Sequence, residues 1–392
     1  MTAFRRHSTR AALAGIGAVA LLAATACGND TRDDIAEASA PALRQSMETL
    51  VRSGFPGVQV VFGGPDGSRT VTAGAGDLRT GAPITDDARV RIGSNTKTFV
   101  ATVVMQLVAE GRVDLDAPVE RYLPGVVRGN GNDGNRITVR QLLQHTSGLP
   151  DYLAGGDPES WHEANTAQLR PDTDAVRWRH YTPEELIGAA MTMPPNFEPG
   201  AKAVYTNTNY VLLGMLIERV TGRSTADEIN GRIIEPLGLR DTYFPAAGET
   251  GIRGPHPVGY QEVDGTRVDF TEVDPSWADT AGAMVGTGAD LNRFFIALLD
   301  GTLVPQAQLT EMRRTVPFDR MPGAGYGLGL IRLPVSCGKE VWGHGGSIPG
   351  FETRNGVASD GTAVTLTVNQ LPTSQQAADA VQTAFDAAVC TG

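Results

Sequence analysis

A serine and a lysine one helical turn apart are the residues of this sequence best suited to covalent chemistry. Ser94 and Lys97 stand at the start of a strongly apolar segment, Thr98 to Ala109, which is typical of a buried helix. Residues three apart lie on one face of a helix, so this spacing places a hydroxyl beside an amine. The pair could act as a nucleophile and its base. Taken alone, such a tetrapeptide more often marks a capped helix start.

Two further short motifs carry groups that such a pair needs. Tyr205 and Asn207 precede a predicted helix, and they could supply a proton relay and a donor for a substrate carbonyl. His344 and Ser347 belong to a His-Gly-Gly-Ser run after a predicted strand, whose edge could offer a backbone N–H to an oxyanion. Each motif alone fits a simpler description, a polar helix cap and a glycine-rich turn. Their occurrence together and in this order favours a catalytic site.

Several other functional classes lack their motifs. The chain has no H-E-x-x-H, its six histidines are scattered, and no G-x-S-x-G elbow is present. The glycine-rich run Gly323 to Gly329 leads into a predicted strand rather than into a helix, so it is a poor dinucleotide loop. The formal net charge of −11 argues against nucleic-acid binding and against adsorption to an anionic membrane surface.

The order of predicted elements indicates an α/β chain of the α+β kind, with one antiparallel sheet built from both ends around a helical insert. We predict one domain over 46–392, with a sheet region at 46–111 and 316–392 and a helical region at 112–315. The predicted strands are Gly57 to Phe62, Ser68 to Ala73, Arg89 to Ile92, Gly327 to Leu333, Glu340 to Trp342 and Ala363 to Asn369. The predicted helices, besides the one after Lys97, are Val139 to His145, Pro183 to Met193, Asn209 to Val220, Ala289 to Leu299 and Ser374 to Ala388.

The first 26 residues have the pattern of an export signal. Arg5 and Arg6 precede a run of small and apolar residues, 11–24, which is too short to span a bilayer. We predict a signal peptide over 1–26 and a tether over 27–45. The sequence around Cys27 fits an ordinary signal-peptidase site and also an imperfect lipobox, so lipidation of Cys27 is one of two interpretations.

The cysteine count favours the lipid-modified form. The chain has three cysteines, and if Cys27 carries lipid, Cys337 and Cys390 remain to pair in an oxidising compartment. We therefore predict a Cys337–Cys390 bridge between the last β-rich segment and the C-terminal helix. Closing a loop of this length stabilises a fold by about 4 kcal/mol in the chain-entropy description.

The three motifs S-x-x-K, Y-x-N and H-x-G, in matching contexts, resemble those of the penicillin-recognising serine enzymes. This family includes class C β-lactamases, serine D-alanyl-D-alanine carboxypeptidases and related esterases. Other stretches that look like family signatures are Arg91 to Ser94, Leu142 to Leu149, Tyr205 to Tyr210, Tyr326 to Leu330 and Ser336 to Gly338. The resemblance runs from about residue 45 to the end and is strongest to the secreted carboxypeptidases, which also pair cysteines at these two places.

The resemblance implies a role for each motif residue. Ser94 would be the nucleophile that forms an acyl-enzyme, Lys97 would help to remove its proton, and Tyr205 would pass the proton to the leaving group. Asn207 would hold the amide of the substrate, and the backbone N–H groups of Ser94 and Ser347 would form the oxyanion hole. No metal or organic cofactor would be required.

The resemblance also implies the substrate class and the location. The substrate would be a small molecule or a cell-wall peptide, with β-lactams as acylating ligands. The protein would be exported, either secreted or held by a lipid anchor at the outer face of the membrane. We expect a D-alanyl-D-alanine carboxypeptidase; the alternatives are a β-lactamase or esterase of the same fold and, more remotely, a non-catalytic penicillin-recognising surface protein.

Four positions bear on what such a site would accept. Gly345 stands where many relatives have threonine, and Ile331 stands where similar carboxypeptidases have the arginine that holds a terminal carboxylate. Arg332 should not replace that arginine, because successive strand residues face opposite ways. His344 titrates near neutrality in ordinary surroundings, so we predict activity that varies between about pH 5 and 8. Trp277 fits equally an aromatic wall of the site and a packed surface tryptophan.

Overall fold

The protein is seen in a computed structural model that describes residues 31–64, 67–153, 168–318 and 320–391, with side chains from residue 41 onward. The predicted signal peptide and Cys27 lie outside the described residues. Within them, an antiparallel eight-stranded sheet carries helices on both faces, which confirms the predicted α+β class. No helix in the described ranges has the length and apolar character needed to cross a membrane.

The elements are numbered in chain order. The strands are β1 (Gly57–Gly64), β2 (Gly67–Gly74), β3 (Val90–Arg91), β4 (Arg128–Gly129), β5 (Asn132–Asp133), β6 (Tyr260–Val263), β7 (Thr266–Asp269), β8 (Val285–Gly286), β9 (Val316–Pro317), β10 (Gly325–Tyr326), β11 (Ile331–Pro334), β12 (Glu340–Ile348), β13 (Phe351–Ala358) and β14 (Ala363–Val368). The helices are α1 (Thr31–Arg52), α2 (Thr96–Ala109), α3 (Val139–Leu143), α4 (Asp174–Arg177), α5 (Pro183–Met191), α6 (Thr208–Thr221), α7 (Thr225–Ile229), α8 (Glu235–Leu237), α9 (Asp279–Gly282), α10 (Gly288–Leu299), α11 (Gln306–Met312) and α12 (Gln375–Thr391).

The large sheet joins the two ends of the described chain. Its strand order is β2-β1-β14-β13-β12-β11-β10-β9, so β1 pairs directly with β14, with Val60 opposite Leu366. Alternate residues of a strand face opposite sides of its sheet. Val58, Val60 and Phe62 accordingly pack in the core with α1 and α12, whereas Val61 faces α10, where Asn292 donates a hydrogen bond to its carbonyl.

The other core surrounds α2, whose side chains are buried almost all round as the sequence predicts. Phe99 of α2 stacks on Phe294 of α10 with ring centroids 3.7 Å apart. A helix enclosed in this way cannot turn about its axis without loss of packing on every side. It is therefore a rigid support for the residues at its N-terminus, which include Lys97.

The structure departs from the sequence-based elements at the start and in the late sheet. Helix α1 begins at Thr31, inside the predicted tether 27–45, because the segment is rich in alanine and its later part, including Leu43, packs against the sheet. The run Gly327 to Leu330 is a turn between β10 and β11 rather than part of a strand, and Gly329 has a φ of +74° there. The strand β13 escaped sequence analysis.

The His-Gly-Gly-Ser run was predicted to follow a strand, and this prediction is wrong because the run lies inside a strand. Strand β12 continues from Glu340 to Ile348, and its residues 341–348 pair with β13. Glycines usually weaken a strand unless another segment of backbone must come close. At Gly346 this is the case, because the backbone of Ile92 packs against it.

The predicted disulfide between Cys337 and Cys390 is present, with the two Cα atoms 5.8 Å apart. Cys337 lies in the turn between β11 and β12, and Cys390 lies in the last turn of α12. The bridge therefore fastens the helix that covers one face of the sheet to the turn at the end of two central strands.

The bridge should contribute to stability and not to chemistry. We expect the double variant Cys337→Ser/Cys390→Ser to lose about 3–4 kcal/mol of unfolding free energy, since the unbridged unfolded chain gains loop entropy. Denaturant unfolding of the wild type and the variant measures this difference, and dithiothreitol should reproduce it in the wild type alone. Equal unfolding midpoints would contradict the expectation.

Candidate active site

The nucleophile candidate sits on a tight turn that is bonded to the sheet. Gly93–Asn95 form one turn of 3-10 helix between β3 and α2, and Gly93 has a φ of +51°, which suits glycine. The Asn95 amide donates hydrogen bonds to Ile92 O (2.8 Å) and to Thr353 Oγ1 of β13 (2.7 Å). It also accepts one from Asn355. The turn is thus held in place by an amide that is itself completely buried.

Lys97 is fully buried and its amine meets three oxygen atoms from three parts of the chain. Nζ lies 3.1 Å from Ser94 Oγ, 2.8 Å from Asn207 Oδ1 and 2.6 Å from the carbonyl oxygen of Ala281 in α9. An uncharged amine has two N–H groups and one lone pair. Two donated bonds, to Asn207 and Ala281, therefore leave the lone pair for the Ser94 hydroxyl proton.

Burial lowers the pKa of the Lys97 amine well below its usual value. The Arg320 charge lowers this pKa further, while the Asp151 carboxylate opposes the shift. Arg320 is thus the neighbouring cation that adds to the effect of burial. The depressed pKa favours the neutral amine, which is the form that can accept a proton from Ser94.

The Tyr205 phenol lies on the other side of Ser94. Burial raises the pKa of Tyr205, while its hydrogen bond with Ser94 and the charge of Arg320 partly offset that rise. The phenol is therefore held in its protonated form, which suits a proton donor better than a base. Its ring packs against His145, with centroids 4.2 Å apart.

His145 supports the Tyr205 segment from beneath. It is 1% exposed and has a φ of +60°, an uncommon conformation for a side-chain-bearing residue. Its Nδ1 accepts a hydrogen bond from the backbone N–H of Thr206 (3.3 Å), and its carbonyl accepts one from Val204. Burial lowers the pKa of His145 well below its usual value, so the ring is a neutral packing element.

Asn207 is fixed at both ends of its amide. Its Oδ1 faces Lys97, and its Nδ2 donates to Asp151 Oδ2 at 3.0 Å, as does its backbone N–H. Asp151 therefore sets which way the amide points. Because Nδ2 carries two N–H groups, one remains for the carbonyl of a substrate, the role that the sequence resemblance implies.

His344 does not titrate in the range that the sequence predicted. Its ring is buried, with Nδ1 2.6 Å from Gly345 O and Nε2 3.0 Å from the hydroxyl of Tyr326. Burial lowers the pKa of His344 to about 3, with a smaller contribution from the Lys97 charge. The predicted variation of activity between pH 5 and 8 through His344 is therefore wrong, because the imidazole is already neutral throughout that range.

Strand β12 brings the predicted second oxyanion donor beside the nucleophile turn. A Cβ atom built on Gly93 would lie 3.0 Å from the backbone nitrogen of Ser347, so the two segments are in close contact. The contact of Gly346 with Ile92 is closer still, because a Cβ atom built on Gly346 would lie 2.0 Å from the Ile92 carbonyl oxygen. Ser94 and Ser347 both line the same cavity, as two N–H groups that bind one oxyanion must.

The cavity has a volume of about 290 Å³ and contains every predicted substrate-binding residue, namely Asn207, His344, Ser347 and Trp277. Trp277 is only 3% exposed, so it is a wall of the cavity and not a surface tryptophan. Ile331 lines the cavity, whereas Arg332 pairs with Glu340 at 3.2 Å and does not. The expectation that Arg332 cannot replace a carboxylate-binding arginine is confirmed.

Sequence analysis assigned no role to four further residues around the cavity. Arg320 and Arg354 line it, and Asp151 and His145 position Asn207 and Tyr205. The signature stretch Leu142 to Leu149 contains His145 and ends two residues before Asp151, which was the available signal for both. In the described parts of the chain no group of three or more His, Cys, Asp or Glu side chains is placed to hold a metal ion.

A buried lysine beside a serine, next to a cavity lined by the central strands of this sheet, defines a serine hydrolase of the type found among β-lactamases and penicillin-binding proteins. The chain belongs to the family described as Beta-lactamase, which matches its residues 40–388. The resemblance seen in the sequence is thereby confirmed.

Two solved structures are similar over most of their length. A D-stereospecific amidohydrolase from Streptomyces sp. is 42% identical and superposes with a TM-score of 0.76 over 84% of this chain and 94% of that one. D-amino acid amidase from Ochrobactrum anthropi SV3 is 28% identical, with a TM-score of 0.77 over 90% and 98% of the two chains.

Curated relatives match over shorter stretches. Esterase EstB of Burkholderia gladioli is 33% identical over 205 residues, which is 51% of this chain and 50% of the esterase. Penicillin-binding protein 4 of Amycolatopsis lactamdurans is 27% identical over 286 residues, which is 72% of this chain and 68% of that protein. The match thus spans half the length of the esterase.

The close approach of Gly346 to the nucleophile turn gives a prediction. In Gly346→Ala the new methyl group would overlap the carbonyl oxygen of Ile92 and push β12 away from Ser94. Loss of one oxyanion donor typically lowers the rate about 10²- to 10³-fold, and we expect a loss of this size in acylation. Stopped-flow acylation by a chromogenic β-lactam or ester measures it.

The matched control for this variant is Gly345→Ala. There the nearest atoms lie 3.1 Å from the new methyl, and one of them is the movable guanidinium of Arg354, so the loss should be much smaller. Melting curves of both variants separate a local effect from unfolding. A folded Gly346→Ala protein with normal acylation would refute the proposed contact.

The pH dependence should follow Lys97 and not His344. Activity should fall as the pH drops through the pKa of Lys97, because the protonated amine cannot accept the Ser94 proton. His344→Gln, which keeps an acceptor for Tyr326, should leave the shape of the profile between pH 5 and 8 as it is, since the wild-type imidazole is neutral there. Profiles of kcat/KM against pH measure this. If the wild-type profile changed between pH 5 and 8 and that change disappeared in His344→Gln, the original prediction of titration through His344 would be correct.

Proposed function

We propose that this protein is a serine acyl hydrolase that cleaves the amide or peptide bond on the carboxyl side of a D-amino acid residue. The observation that carries the proposal is the Lys97 amine, buried and bonded so that its lone pair is directed to Ser94 Oγ at 3.1 Å. The D-configuration is proposed by analogy, because the similar Streptomyces and Ochrobactrum proteins are described as D-stereospecific and as a D-amino acid amidase.

Acylation would begin with transfer of the Ser94 hydroxyl proton to Lys97. The Ser94 oxygen then forms a bond to the carbonyl carbon of the substrate, and the carbonyl π electrons move to the oxygen. The N–H groups of Ser94 and Ser347 would stabilise that oxyanion, which lies at the edge of β12. Asn207, whose amide is held by Asp151, would donate a hydrogen bond to a carbonyl of the substrate and so fix its orientation.

Collapse of this intermediate needs a proton on the leaving nitrogen. Tyr205 is suited to supply this proton, because burial keeps its phenol protonated and the phenol is hydrogen-bonded to Ser94. Lys97 would then give its proton to the Tyr205 oxygen, past the Ser94 oxygen that lies between them. The protein thereby gains or loses no net proton in acylation. Water would then attack the acyl-enzyme carbonyl and give a proton to the neutral Lys97 amine. The ester bond to Ser94 then breaks, the Ser94 oxygen takes the proton back from Lys97, and the acid is released.

A second candidate is the D-alanyl-D-alanine carboxypeptidase activity that the sequence predicted, on cell-wall peptides. The cationic side chains that line the cavity favour it, since such a substrate ends in a carboxylate. Similarity to penicillin-binding protein 4 of Amycolatopsis supports it and supports acylation by β-lactams as well. The similarity to an esterase favours some activity on esters, which need no protonated leaving nitrogen.

We also propose that the protein is exported, as a secreted protein or as a lipoprotein through Cys27. The Cys337–Cys390 disulfide supports an oxidising compartment, where such bridges persist. The basic start followed by an apolar run, residues 5–24, supports a signal peptide.

The proposed reaction predicts discrimination between mirror-image substrates. We expect N-acetyl-D-alanyl p-nitroanilide to be hydrolysed with kcat/KM on the order of 100-fold above its L-isomer, because an inverted Cα turns the side chain into a wall of the cavity. Absorbance of released nitroaniline measures both rates. Ser94→Ala should remove the activity on both isomers.

Mass spectrometry of the mature protein with and without penicillin completes the test. A penicilloyl adduct on Ser94 is expected, and the same spectra report whether the chain starts at residue 27 and carries lipid. Hydrolysis of both isomers at equal rates would contradict the D-specificity, and hydrolysis retained in Ser94→Ala would contradict the mechanism.

A further inference from the structure

The charged side chains on the described wall of the cavity are all positive. Among the described residues that line the cavity, Arg320 and Arg354 are the only charged side chains, and none is acidic. His344 is neutral because of its burial. Described lining residues that include cations and no carboxylate favour a substrate that brings a negative charge over one with a free ammonium group.

The two arginines are not equally available. Arg354 forms an ion pair with the buried carboxylate of Glu352 and donates a hydrogen bond to Thr353 O. Arg320 is exposed, and the described residues include no acidic partner for it. Among the described residues, the guanidinium of Arg320 thus has no carboxylate partner and could bind an anion, whereas the charge of Arg354 is already paired with Glu352.

Arg320 also lies on the side where a leaving group departs. Its guanidinium carbon is 4.8 Å from the centre of the Tyr205 ring, and Tyr205 is the proposed donor to the leaving nitrogen. Its charge acts on Lys97 as well. In a peptide substrate the terminal carboxylate is attached to the Cα atom next to that nitrogen, so it would extend past Tyr205 toward Arg320.

Arg320 is carried by a hairpin loop that borders the cavity. The loop joins β9 to β10 and places Phe318, Arg320 and Met321 on the cavity wall. Backbone hydrogen bonds from Phe318 to Ala324 O (3.1 Å) and from Met321 to Phe318 O (3.0 Å) hold its shape. Arg320 thus comes from the loop before β10 and not from β11, where Ile331 holds the position at which similar carboxypeptidases have their arginine.

We propose that Arg320 binds a carboxylate on the leaving group of the substrate, so that the preferred substrates are N-acylated peptides that end in a free D-amino acid. The proposal rests on the proposed acyl-hydrolase function and defines its leaving group. In this proposal, the Arg320 guanidinium takes the role that an arginine has in similar carboxypeptidases at the position of the apolar Ile331.

The test compares matched substrates in matched variants. The substrates are N-acetyl-D-alanyl-D-alanine and its C-terminal amide, which differ only in the leaving-group charge, and kcat/KM is measured for each. In Arg320→Gln we expect the carboxylate-to-amide ratio to fall about 10- to 100-fold, which corresponds to a lost charge-assisted hydrogen bond. The control Arg332→Gln, whose side chain pairs with Glu340 and does not line the cavity, should keep the wild-type ratio. Because each ratio is taken within one variant, a change in the basicity of Lys97 cancels.

Binding to an inactive protein makes the test independent of turnover. Calorimetry of N-acetyl-D-alanyl-D-alanine with Ser94→Ala and with Ser94→Ala/Arg320→Gln should show at least about tenfold weaker binding in the double variant. An unchanged affinity, or an equal fall of kcat/KM for the acid and the amide, would overturn the role of Arg320. Absence of turnover on the amide and on uncharged esters would instead refute the proposed function, while the binding measurement would still decide on Arg320.

Discussion

The protonation state of one buried amine is the constraint on which the rest of this site depends. Lys97 lies on a helix that is packed on almost all sides, and its three polar neighbours come from the nucleophile turn, the segment before α6 and helix α9. A charged amine there would be costly, since few water molecules could solvate it. Burial thus does two tasks together, because the packing that fixes the position of Lys97 also makes it a base.

The same burial separates the roles of the groups around Ser94. It lowers the pKa of a lysine and raises the pKa of a tyrosine, so one becomes a better proton acceptor and the other a firmer proton donor. The two histidines close to the site, His145 and His344, become neutral for the same reason. The remaining positive charge lies at the rim, on Arg320, where it can meet a ligand without the cost of burial.

The parts of the site that are local in sequence could be predicted from it. Ser94 and Lys97 lie three residues apart on a helix start, and the apolar run after them predicts burial. The neutral state of His344 could not be predicted, because it follows from burial of the ring near Tyr326 and Tyr205, which only the folded chain brings together. Asp151 and Arg320 were missed for a similar reason, since only the folded chain brings them to Asn207 and Tyr205. The His-Gly-Gly-Ser run was misplaced because glycines favour turns locally, while the contact with Ile92 that requires them is distant.

The pairing of β1 with β14 has a consequence for the order in which the molecule can assemble during synthesis. Val60 is made about three hundred residues before its partner Leu366, so the first strand leaves the ribosome with one of its edges unpaired. The nucleophile turn is bonded to Thr353 and Asn355, which are also made late. Contacts of such long range make folding slow and postpone it until most of the chain exists. A newly made chain would therefore remain open, with its nucleophile turn still unsupported, for most of its synthesis.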